Sequence, residues 1–134
     1  NSVACAAGLA AVRILERDGL VERAARMGEQ IGRKLKENLG GSPHVAEIRG
    51  LGMMWGIEFV KDRQTLAPFP RSEKITERLY RALFEQGIIL YKSVGMAGTD
   101  GDGLIVAPPF VITEEQIDMV VDKLCRAVDM ILGS

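Results

Sequence analysis

The chain has 134 residues, with 17 basic against 18 acidic side chains and a formal net charge of -1. That length suits one domain with its own core, and the near-neutral balance leaves no electrostatic footprint for nucleic acid or an anionic membrane. No apolar run approaches the ~20 residues of a bilayer span, and the alanine-rich start lacks the basic lead and cleavage site of a signal peptide.

Asn1 caps a first helix whose apolar positions Val3, Ala7, Ala10, Ala11, Ile14 and Leu15 recur at helical spacing, and Asp18-Gly19 ends it. Small residues on several of its faces, Gly8 among them, predict close packing against material outside the chain. The chain enters this helix at once from Asn1, with no methionine and no polar lead-in, which predicts a fragment of a longer protein. A second helix is expected over 20–39, with Leu20, Ala24, Met27, Ile31, Leu35 and Leu39 on one face and Gly40-Gly41 closing it.

The period then changes. Val45 to Arg49 reads as a short strand, and Met53, Trp55, Ile57 and Phe59 alternate with Met54, Gly56 and Glu58, as in a strand with one face in the core. After a loop containing Pro68 and Pro70, Ser72 is the expected cap of a third helix carrying Ile75, Leu79, Ala82 and Leu83, ending at Gly87. "IILYKS" (88–93) reads as a strand, "VGMAGTDGDG" as a glycine-rich connection, and "LIVAPP" as a short strand that Pro108-Pro109 terminates. "TEEQ" is a capping box between Thr113 and Gln116 opening a last helix, whose stripe is Ile117, Val120, Val121, Leu124, Val128 and Ile131. The expected fold is α+β and two-layered: a small, mostly antiparallel sheet covered by helices on one face, in the order α-α-β-β-α-β-β-α.

The motifs supply little chemistry. Gly50, Gly52 and Gly56 stand one residue off a dinucleotide fingerprint, but a strand follows where a phosphate site needs a helix N-terminus, so these glycines turn a hairpin. "DGDG" at 100–103 lacks the glutamate and flanking helices of a calcium loop and reads as a solvated turn. His44 is the single histidine, a loop residue without a partner for metal or nucleophile. Glu114 and Glu115 are first-turn residues favoured by the helix dipole. Cys5 and Cys125, inside apolar helical patterns at opposite ends, read as buried free thiols in a reducing, cytoplasmic setting. No catalytic, cofactor-binding or metal-ligating residue emerges. Lys92, following "IILY", is the one candidate for substrate binding, because a side chain at a strand exit reaches into a cleft. An ordinary surface lysine is the alternative reading of that position.

"NSVACAAGLAAVRILERDGLVERAARMGEQIGRKL", "IRGLGMMWGIEFVKD" and "LIVAPPFVITEEQID", in this order and spacing, make the chain resemble the C-terminal part of class III (ω-type) aminotransferases of fold type I. The resemblance implies a small C-terminal domain over 1–134, with residues 1–19 leading in from a large domain upstream. It implies transfer of an amino group from an amine or ω-amino acid to a keto acid, pyridoxal 5'-phosphate as cofactor, and a homodimer. The family's Schiff-base lysine, its aspartate partner to the pyridinium nitrogen and its phosphate-binding residues lie before Asn1, so the fragment alone is expected to be inactive. Ser2 stands where the family usually has proline. Lys92 lies close to where many relatives carry a carboxylate-gripping arginine, and a lysine offers a point charge in place of a planar fork. A free-standing α+β ligand-binding or regulatory module is the alternative.

Overall fold

The computed structural model describes residues 1–133. Its elements are α1 (Ser2–Arg17), α2 (Leu20–Leu39), β1 (Val45–Leu51), β2 (Met54–Phe59), a 3-10 turn (Arg71–Glu73), α3 (Ile75–Glu85), β3 (Tyr91–Ala97), β4 (Asp100–Val106) and α4 (Glu114–Leu132). The strands form one antiparallel sheet in the order β1-β2-β4-β3. The expected α+β architecture and element order are the ones observed.

One face of that sheet makes the core. Alternation on β2 buries Trp55, Ile57 and Phe59, and Leu104 and Val106 of β4 join them. Over these lie the apolar stripes of α2 (Ile31, Leu35), α3 (Leu79, Leu83) and α4 (Ile117, Leu124, Val128), in one continuous cluster. Helix α4 packs against both α2 and α3. Its capping box is present as expected: Thr113 Oγ1 accepts from the Gln116 amide, and Gln116 Oε1 accepts from the Thr113 amide. Helix α2 sits closest to the sheet where it carries glycine. Gly28 lies against the carbonyl of Gly52 in the β1–β2 turn, and Gly32 lies against the Trp55 ring. Gly52 takes the left-handed conformation of that two-residue turn (φ 53°). Arg23 adds a tie at the start of α2, donating to the carbonyls of Phe110 (2.6 Å) and Ile112 (2.7 Å) ahead of α4.

Helix α1 stands apart. Asn1 caps it by accepting from the amides of Val3 and Ala4, yet none of its residues is buried, and Ala4, Ala7 and Ala11 are exposed. Among the elements of this chain it packs against α2.

Four readings of the sequence are corrected. Cys5 is exposed on α1 and Cys125 is partly exposed, so neither is a fully buried thiol. Ser72 does not cap α3. It lies in the 3-10 turn, and Lys74, left-handed at φ 51°, occupies the cap position with no side-chain hydrogen bond of its own. The third strand begins at Tyr91 and not Ile88; Ile88 and Leu90 are buried ahead of it. Last, the glycine-rich stretch is no open connection. β3 and β4 run through it and turn at Gly98-Thr99, with Ala97 paired to Asp100. "DGDG" is therefore strand, and Asp102 is fully buried.

Candidate functional site

Two faces of the sheet offer different chemistry. On the face away from the helices, Gly56 of β2 projects no side chain. A hollow of about 470 Å³ opens there, lined by Arg49, Leu51, Met54, Gly56, Met96 and Ile105. Arg49 contributes charge but is already engaged, donating to the carboxylates of Glu47 and Glu58 (3.3 Å to Glu58). Those hydrogen bonds, from Glu47 foremost, push the guanidinium pKa up. Leu51, at 90% exposure, marks the rim as apolar. A second groove, of about 530 Å³, runs between α2 and the β1–β2 turn, where Lys36 rests 5.3 Å from the centroid of the Trp55 ring.

Lys92 belongs to neither hollow. It pairs with Leu104 in the sheet register, so it projects to the helix side, and its ammonium lies 4.9 Å from the centroid of the Tyr80 ring on α3. The side chain is exposed. One turn before Tyr80 stands Glu77, whose carboxylate accepts from Arg71. That hydrogen bond first, and the charge of Lys92 last among the contributions, holds the Glu77 carboxyl below the usual glutamate range.

Behind Lys92 the hairpin is bolted to α3 by residues that the sequence reading passed over. Asp102 Oδ1 accepts from the Thr76 amide (2.8 Å) and the Thr76 hydroxyl (2.7 Å). The same hydroxyl oxygen accepts from the Gly103 amide (3.0 Å). Asp100 Oδ1 accepts from the Arg71 amide (3.0 Å), and the Arg71 guanidinium lies 3.5 Å from Asp102. The carboxylate that serves the first turn of α3 thus comes from a strand 26 residues downstream, a partner no local capping rule reveals. The only local signal is an aspartate flanked by two glycines, which by itself reads as a turn.

Because the carboxyl pKa of Glu77 is depressed on folding, its contribution to stability is present above the unfolded-state pKa and is lost as pH falls through the folded-state value. Glu77→Gln should therefore flatten the loss of stability on acidification below the ordinary glutamate range. Urea midpoints of both forms across that range test this, and parallel curves would contradict it.

Pyridoxal phosphate, implied by the resemblance, requires a lysine amine and a carboxylate for the ring nitrogen around one cavity. The residues here do not fit it. Lys36, beside the second groove, is exposed and rests over Trp55, and the carboxylates that share the groove, Glu29 and Glu37, are exposed as well, so none is the sequestered acid that would hold a ring nitrogen protonated. Buried Asp102 is committed to Thr76 and lines neither hollow, although its Oδ2 accepts no hydrogen bond from the described groups.

The family model for class-III aminotransferases matches residues 1–128. The chain belongs to that family. This class III aminotransferase chain is 43% identical over 129 residues to an uncharacterized aminotransferase of Schizosaccharomyces pombe, covering 96% of itself and 28% of the relative. It is 35% identical to the diaminobutyrate–2-oxoglutarate transaminase of Halomonas elongata, covering 98% of itself and 27% of that protein. Among solved structures, a Bacillus anthracis aminotransferase superposes with a TM-score of 0.88 at 35% identity, over 97% of this chain and 28% of that one. A PLP-bound aminotransferase mutant from Vibrio fluvialis gives 0.86 at 31% identity, over 96% and 27%. The class III chain thus spans a little over a quarter of the proteins it matches.

Proposed function

We propose that residues 1–134 form the C-terminal small domain of a class III aminotransferase, with residues 1–19 as the helix leading in from a large domain. The whole protein transfers an amino group from an amine or ω-amino acid to a keto acid through pyridoxal 5'-phosphate. The observation that carries this reading is the end-to-end likeness to aminotransferases that are more than three times as long. It is joined by a first helix with no buried residue. Cofactor and Schiff-base chemistry then reside in the part of the protein outside these residues, and the small domain supplies one wall of the substrate cleft. A homodimer in the cytoplasm fits the exposed small-residue face of α1 and two free cysteines. The near-neutral charge and the absence, among the described residues, of a helix long and apolar enough to cross a membrane support small molecules as partners, without nucleic acid or lipid.

The test separates the chain from its parent. Purified alone, the 134-residue chain should bind pyridoxal phosphate without saturation and transfer no amino group, and adding the missing upstream sequence should restore both. Saturable cofactor binding or turnover by the chain alone overturns the reading.

Lys92 is the residue we assign to the substrate. An exposed ammonium contributes roughly 0.2–1 kcal/mol to an ion pair, so Lys92→Ala in the intact enzyme should raise KM for a keto acid by up to about fivefold, leaving kcat unchanged. Steady-state kinetics with a keto acid and with an uncharged aldehyde acceptor check it. Equal effects on both acceptors would remove Lys92 from the carboxylate site.

A further inference from the structure

Resting on that assignment of Lys92, we propose that Thr76 and Asp102 are positioning residues: their buried tie between hairpin and helix sets the ammonium of Lys92 over Tyr80. The geometry has two halves. β3 carries Lys92, and α3 carries both the ring beneath its ammonium and the Glu77 carboxylate whose titration feels its charge. Nothing in covalent sequence holds these halves together, since Lys92 and Tyr80 sit on separate elements joined through Gly87 and the irregular segment before Tyr91.

What joins them is the Thr76 hydroxyl. It donates to Asp102 at 2.7 Å and accepts from the Gly103 amide at 3.0 Å, while the Thr76 amide donates to the same Asp102 oxygen at 2.8 Å. Gly103 pairs with Ser93 in the sheet register, and Ser93 directly follows Lys92. One fully buried hydroxyl and one fully buried carboxylate therefore set the height of β3 above α3 at the residue beside the lysine. Both groups are sealed from water, so losing either leaves buried donors unpaired and gives the hairpin a reason to shift. A lysine stem has several freely rotating bonds, and a shift of the strand carries its ammonium, and the charge with it, off the ring.

The experiment has one arm for geometry and one for function. In the 134-residue chain, the ε-methylene protons of Lys92 should be displaced upfield in the NMR spectrum by the Tyr80 ring. Tyr80→Leu should abolish that displacement, Thr76→Val should abolish or strongly reduce it, and Thr76→Ser, which restores the hydroxyl, should retain it. In the intact aminotransferase, Thr76→Val should raise KM for a keto acid by the same factor as Lys92→Ala, up to about fivefold, with kcat and the KM for an uncharged aldehyde unchanged. The double variant should be no worse than Lys92→Ala alone.

A Thr76→Val chain that keeps the ring displacement overturns the positioning role, as does a variant whose effect adds in full to that of Lys92→Ala. If Thr76→Val does not fold, Thr76→Ala takes its place, because it removes the hydroxyl that joins Asp102 to the Gly103 amide without adding a methyl group to a fully buried position. Retained ring displacement there overturns the proposal equally. Should Lys92→Ala leave every KM unchanged while the ring displacement behaves as expected, it is the assignment of Lys92 to substrate that fails, and the tie stands.

Discussion

Gly28→Ala should destabilise the chain by about 2–3 kcal/mol, although alanine is the better helix former. Position 28 lies inside α2, and on propensity alone the exchange favours the helix by up to ~1 kcal/mol. Packing decides the other way. A Cβ at this position falls inside the van der Waals envelope of the Gly52 backbone, 2.6 Å from its Cα. That neighbour is main chain in a two-residue turn and has no rotamer through which to escape. Moving the turn also strains the hydrogen bond from Trp55 Nε1 to the Gly52 carbonyl (2.9 Å), which is worth roughly 1 kcal/mol, and it lifts a buried indole that packs on Gly32. Gly8→Ala in α1 is the control. Nothing lies within 4 Å of a Cβ there, so in this chain propensity acts alone and the change should be neutral to stabilising by up to ~1 kcal/mol. Urea unfolding of both variants measures the contrast. If Gly28→Ala matched Gly8→Ala in sign, close approach of α2 to the turn would not be holding this layer together.

The same contrast shows what was legible in the residues and what was not. Helices α2 and α4 were readable because each buries one stripe and exposes the other, a pattern that survives without knowing what covers it. β2 was readable because its alternation reports a sheet with one covered face. Gly28 and Gly32 carry no such pattern, since the need for them arises from a turn and an indole more than 20 residues away.

The hairpin of β3 and β4 was misjudged for a related reason. Gly95, Gly98, Gly101 and Gly103 carry no strand propensity, so the stretch looked like a loop. Two of these glycines answer to neighbouring strands: a Cβ on Gly101 would meet the Met96 and Ala97 amides across the hairpin, and one on Gly103 would meet the Ile57 carbonyl of β2. Asp102 was lost with them. In isolation an aspartate between glycines signals a turn, and only the arrival of the α3 N-terminus converts it into a buried acceptor. As for the candidate site, Lys92 was singled out as a lysine at a strand exit, but β3 begins at Tyr91 and places it at the strand's start; Thr76, Asp102 and Tyr80, which surround it, depend on the register of β3 against α3.

Leu124→Ala should cost the chain about 2–5 kcal/mol. Leu124 is fully buried at the middle of α4, the helix that packs on both α2 and α3, so the lost methyl groups open a cavity walled by three elements with little freedom to collapse. Met119 and Met130 lie on the same helix at 42% and 68% exposure. Truncating either to alanine should change stability by no more than ~0.5 kcal/mol. For a domain whose whole stability is of order 5–15 kcal/mol, the Leu124 loss is a large share of what keeps it folded, while the methionine changes go unnoticed. Denaturant titrations should show a midpoint shift for Leu124→Ala at an unchanged slope, as expected if one cooperative unit spans the three helices and the sheet. A reduced slope would instead mean that α4 frays alone. In that case α3, which holds Thr76, Glu77 and Tyr80, would rest on the sheet without its cover, and the geometry around Lys92 would have to be supplied by the rest of the enzyme.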